Sequence, residues 1–113
     1  GCILFHCTAG KDRTGVTAML LLDLAGADED LIVEDYAATA LYLNPHLKDQ
    51  LAMLKKMGIQ DPDAVLGSPK SNMIRTLDHL RKTYGSAEKY LRQIGLSGAK
   101  IEVLKESLRE RVE

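Results

Sequence analysis

With 113 residues the chain has room for one domain and a modest core, and 45% apolar with 27% charged residues is the balance of a folded globular chain. A net charge of −1, no tryptophan and a single phenylalanine argue against nucleic acid as a partner, whether held by bulk charge or by aromatic stacking. No stretch reaches the roughly 18 apolar residues of a membrane span, and the two cysteines, Cys2 and Cys7, are too few for a disulfide framework. A reducing, cytoplasmic setting or a working thiol is expected, or a secreted protein should a leader precede Gly1.

In chain order, Cys2 to His6 is short, apolar and unalternating, the pattern of a strand covered on both faces. Arg13 to Ala25 predicts a helix that Gly26 stops. Asp28 or Asp30 caps the next, with Leu31, Ile32, Tyr36, Ala40 and Leu43 at helical spacing before Asn44-Pro45 breaks it. Leu47, Leu51, Leu54 and Met57 form another stripe, ended by Gly58. After the irregular "IQDPDAVLG", Ser68-Pro69 reads as a cap with proline in the first turn. The helix it opens has Met73, Ile74, Leu77, Leu80 and Tyr84 inward. A turn at Gly85-Ser86 leads to a short helix with Ala87, Tyr90, Leu91 and Ile94, and Gly95 ends it. Ser97 caps the last, which carries Ile101, Leu104, Leu108 and Val112.

This inventory predicts an α/β fold: one N-terminal strand, then mostly helices, in a single and partial domain over 1–113. A strand apolar on both faces needs neighbours for its backbone groups, and no second convincing strand is visible. The rest of a sheet is therefore expected outside these residues.

The chemistry concentrates in "HCTAGKDRTG", residues 6–15. A phosphate monoester carries nearly two negative charges and needs several donors aimed at one point. A loop entering a helix N-terminus supplies unpaired N–H groups and the positive end of the helix dipole. Here that loop is Thr8 to Asp12, with Gly10 free to adopt a turn closed to other residues. Five residues separate Cys7 from Arg13, a spacing that closes a ring with the thiol at its base and the guanidinium on its rim. Arginine's planar fork suits two phosphate oxygens. Cations and a helix N-terminus also lower a thiol's pKa from about 8.5 into the range of roughly 3.5–7.5. Cys7 is thus a candidate nucleophile that attacks phosphorus, forms a cysteinyl-phosphate and is released by water.

Thr8, Ala9, Gly10, Lys11, Asp12 and Arg13 are the candidate phosphate cradle. Thr14 is a hydroxyl donor to the thiolate, and His6 shapes the loop. Asp12 is either the acid that protonates the leaving oxygen or an electrostatic partner of the cations. Lys11 is either an exposed solvated cation or a selector of polyanionic substrates.

The loop resembles the signature of the cysteine-dependent protein tyrosine phosphatases: His-Cys, five residues, Arg, then Ser or Thr. Its Gly-Lys-Asp-Arg-Thr-Gly ending is similar to that of the bacterial members with dual-specificity and phosphoinositide activity. "DYAATALYLN" and "LRKTYGSAEKYLRQIGLS" resemble the helices that follow the loop in that group. The resemblance implies catalytic roles for Cys7 and Arg13, with Lys11 and Asp12 as the subgroup's distinctive pair. It implies an α/β domain whose sheet is mostly built before the loop. The substrates it implies are phosphotyrosine, phosphoserine or phosphothreonine in proteins, or phosphoinositides.

The other residues have plainer readings. Cys2 differs from Cys7 in strand parity and reads as core. Tyr36, Tyr84 and Tyr90 sit on apolar stripes, and His46 and His79 are isolated surface residues. His6 with Cys2 and Cys7 is too small a set for a structural zinc site, so neither a metal nor an organic cofactor is expected. Asp61-Pro62 superficially resembles the acid of the low-molecular-weight tyrosine phosphatases, but their loop lacks the preceding histidine, and Asp61 reads as a turn or capping residue. The competing functional class is a phosphate-binding module, or an inactive fragment, that keeps the loop without turnover.

Overall fold

A computed structural model of the chain describes residues 2–8, 10–43, 45–62 and 66–109. The helices follow the punctuation of the sequence. α1 spans Arg13–Ala25, α2 Glu29–Leu43, α3 Leu47–Lys56, α4 Lys70–Thr83, α5 Ala87–Gln93 and α6 Gly98–Leu108. α1 stops where expected because Gly26 takes φ +91°, and the Gly26 and Ala27 amides fold back onto the Asp23 and Leu22 carbonyls. Ser86 and Ser97 cap α5 and α6, their hydroxyls accepting from the Lys89 and Lys100 amides.

α1 packs against α2, α5 and α6, and α2 packs against α4. The core cluster between them is Met19, Ile32, Val33, Tyr36, Met73, Leu77, Leu80 and Ala87, edged by Tyr84 and Tyr90. Those two tyrosines meet edge to face, with ring centroids 4.8 Å apart. Ion pairs tie the far end of α1 to its neighbours. Arg81 on α4 holds both oxygens of Asp23 on α1, at 2.6 and 3.0 Å, and its Nε donates to Glu29 on α2 at 2.8 Å. Asp23 Oδ2 also accepts the Ala87 amide at the start of α5 at 2.9 Å. The guanidinium holds the Asp23 carboxyl below the usual carboxylate range, burial opposing it in part.

Several expectations are corrected. The α/β class does not hold: the described residues contain no strand and are organised by helices alone. An apolar run reads alike whether a sheet covers it or not. Residues 2–7 have no ladder partner here, so they form no strand, and Ile3 and Leu4 are almost fully exposed. Cys2, read as core, is exposed for the same reason. Leu31, Ile74 and Ile94 lie outward, while Val33, which the stripe omitted, is buried. Ser68 does not cap α4, whose N-cap is Pro69. Its hydroxyl instead inserts into α2, accepting the Ala40 amide and donating to the Ala37 carbonyl, each at 3.0 Å. Ala9, the break at Asn44, the "DAV" of 63–65 and Val112 lie outside the described residues.

Candidate active site

The loop runs straight into α1. Gly10 takes φ +71°, which allows the chain to turn there without a Cβ penalty. The helix's hydrogen bonds begin inside the loop: Gly15 N–H donates to the Lys11 carbonyl at 3.1 Å and Val16 N–H to the Asp12 carbonyl at 2.9 Å. The amides ahead of Gly15 therefore have no intrahelical acceptor. Those of Thr14, Gly10 and Lys11 act on the Cys7 sulfur.

Together with the Thr14 hydroxyl, the strongest single influence, these amides bring the Cys7 thiol down to about 6, against a smaller upward push from burial. Thr14 Oγ1 is buried and makes no hydrogen bond of good geometry to any described group. Its proton is thus available to the sulfur, and a charged sulfur would draw it in more closely than a neutral one. The half-buried thiol is mostly thiolate at neutral pH and remains open to solvent.

Arg13 reaches back across the loop to Thr8. Its Nη2 donates to Thr8 Oγ1 at 3.2 Å, and the side chain is exposed on the rim. His6 Nδ1 lies 3.3 Å from the Cys7 carbonyl, so the tautomer protonated at Nδ1 donates there. Asp12 occupies the N-cap of α1 in a helical conformation without a side-chain capping bond, and its exposed carboxylate is left for other contacts. Lys11 is buried, which goes against the first of its two readings, an exposed solvated cation.

Two features behind the loop have no local signal in the sequence. Tyr36 of α2 lies against Gly15, where an added Cβ would sit 3.3 Å from the ring, and its hydroxyl accepts from Asn72 of α4 at 3.4 Å. Gly10, Thr14 and Gly15 also wall a partly open cavity of about 150 Å³ whose far side is Asp35, Tyr36 and Thr39. On the other flank, Asp12 opens onto a cleft of about 200 Å³ with Tyr36, Asn72 and Thr76. Asp61 lines a groove with Leu51 and Lys55 that no loop residue enters. Among the described residues no three histidine, cysteine or acidic side chains cluster as a metal site. No helix among them is long and apolar enough to cross a membrane.

The profile of the tyrosine phosphatase family matches residues 1–110. The chain belongs to that family. It is 43% identical over 112 residues to a tyrosine-protein phosphatase of Nostoc commune, an alignment covering 93% of this chain and 38% of that protein. It is 31% identical over 113 residues to the triple specificity protein phosphatase PtpB of Mycobacterium tuberculosis, covering 88% and 41%. The chain thus spans about two-fifths of the length of these curated relatives. No solved structure matches it.

Proposed function

We propose that this chain carries the nucleophile-bearing part of a single catalytic domain that hydrolyses phosphate monoesters. The observation that carries this reading is the Cys7 thiol, brought to about 6 by the donors of a loop that Arg13 closes onto Thr8. Membership of the tyrosine phosphatase family supports it.

In the first step the Cys7 thiolate attacks phosphorus in line and the P–O bond to the leaving group breaks. The amides of residues 8–13 and the Arg13 guanidinium hold the equatorial oxygens as the phosphoryl group flattens. Asp12 protonates the leaving oxygen or balances the cations around it. In the second step water attacks the cysteinyl-phosphate, inorganic phosphate departs and sulfur leaves as thiolate, stabilised by the Thr14 hydroxyl. Phosphotyrosine is the expected substrate, with phosphoserine, phosphothreonine or phosphoinositides as further members of the range. The name of the Mycobacterium tuberculosis relative, a triple specificity phosphatase, supports that breadth.

An activated aryl phosphate tests the reading, because its leaving group needs little help from an acid. The full-length protein should turn it over, and Cys7→Ser should abolish turnover while phosphate still binds. A phosphorylated Cys7 should be trapped by rapid acid quench and seen by mass spectrometry. Phosphate binding with no turnover by the unaltered protein would establish the binding-module class instead.

A further inference from the structure

The cleft on the flank of the loop brings polar side chains from three helices to one place: Asp12 at the start of α1, Tyr36 of α2 and Asn72 of α4. Its other walls are Val16, Met73 and Thr76. Tyr36 is fixed at both ends. Its ring lies on Gly15, where an added Cβ would stand 3.3 Å from Cδ1 and 3.6 Å from Cε1, and its hydroxyl accepts from the Asn72 amide at 3.4 Å. Gly15 and Val16 follow Asp12 by three and four residues, so all three share the face of α1 against which the tyrosine lies. The hydroxyl has one proton of its own, which the bond from Asn72 leaves free to donate. The second hydroxyl in the cleft is already committed, since Thr76 Oγ1 donates to the Asn72 carbonyl at 2.8 Å. The Asp12 carboxylate makes no capping bond to α1 and is the one charged acceptor among the described residues lining the cleft.

We propose that Tyr36 and Asn72 are positioning residues for Asp12: Asn72 turns the Tyr36 hydroxyl so that it donates to one carboxyl oxygen, and the other oxygen is left facing the leaving group. The inference rests on the proposed hydrolysis with Asp12 as its acid. As Asp12 gives its proton to the leaving oxygen a carboxylate forms, and the bond from Tyr36 becomes charge-assisted and stronger. The phenol proton stays on Tyr36 throughout. An interaction that grows toward the transition state raises kcat and not substrate affinity.

Tyr36→Phe tests this, because it keeps the ring against Gly15 and removes only the hydroxyl. In the full-length protein it should lower kcat for an alkyl phosphate by about tenfold, with KM little changed and a much smaller loss on an activated aryl phosphate. In an Asp12→Asn background the same change should add nothing, since the two side chains act as one unit. Asn72→Asp separates positioning from packing. The replacement has the same shape but only accepts, so it draws the Tyr36 proton away from Asp12. It should match Tyr36→Phe on the alkyl phosphate, and raising the salt should not restore the rate, as it would for simple repulsion between exposed carboxylates. The midpoint of Cys7 alkylation should hold in both variants. A full alkyl phosphate rate in Asn72→Asp would mean that Tyr36 donates to residue 72, and it overturns the proposal. So do equal losses on both substrates, an additive effect with Asp12→Asn, or a displaced Cys7 midpoint, which would mean that the loop itself has moved. Absence of aryl phosphate turnover in the unaltered protein defeats the hydrolysis reading instead. The contact is then judged by carbon NMR: the Tyr36 Cζ resonance should move on Asp12→Ala, and an unmoved resonance overturns the contact whatever the activity.

Discussion

At the scale of single residues, the proposed chemistry turns on the proton affinity of one sulfur. Cys7 titrates near 6, so the rate of its alkylation by iodoacetamide should rise with pH and level off above about 7, where an ordinary thiol would still be mostly protonated. The same ionisation should set the acid limb of kcat/KM, which reports the free enzyme. Thr14 is the largest influence on the thiol, so Thr14→Val should move the alkylation midpoint upward, and an unmoved midpoint would assign the shift to the loop amides alone. Asp12 can be tested by leaving group. If it is the acid, Asp12→Asn should slow hydrolysis of an alkyl phosphate by about a hundredfold or more and spare an activated aryl phosphate. An equal effect on both would make it an electrostatic partner.

At the scale of elements, two contacts hold the loop and its helix in place. Gly10 at φ +71° admits no Cβ without strain, so Gly10→Ala should cost about 1–2 kcal/mol in urea unfolding and loosen phosphate binding as the turn relaxes. Ser68 sits far from the loop but is wired into α2, the helix whose Tyr36 lies against Gly15. Ser68→Ala removes the hydroxyl that accepts the Ala40 amide and donates to the Ala37 carbonyl, and a loss of about 1–3 kcal/mol is expected from the same measurement. A neutral outcome there would mean that Ala40 N–H returns to an ordinary helical bond.

At the scale of the whole molecule, Asp23 is the junction. It joins α1 to α4 through Arg81 and to α5 through the Ala87 amide, and Arg81 brings in α2 through Glu29. Its carboxyl is held low in the folded chain, so its contribution is complete above the unfolded value of about 4 and is lost as pH falls through the lower folded value. Asp23→Asn should therefore destabilise the protein by about 2 kcal/mol at neutral pH and flatten the acid side of its stability profile. The exposed face of Arg81 tempers that figure, since solvent screens part of the attraction.

The sequence by itself determined what neighbouring residues decide among themselves. The turn at Gly10, the stop at Gly26, the turn at Gly85-Ser86 and the cap at Ser97 were all legible, because each is settled by φ preferences and by bonds within a few positions. Tertiary structure decided the rest. Asp23 meets Arg81 58 residues away, and Ser68 leaves its cap for carbonyl and amide groups 31 and 28 residues back. Tyr36 rests on Gly15, and Lys11 is buried, against the exposed one of its two readings. The run from Cys2 to Phe5 is the sharpest case. Its composition fits a covered strand, but a strand exists only by hydrogen bonds to a neighbour, and no described residue supplies one.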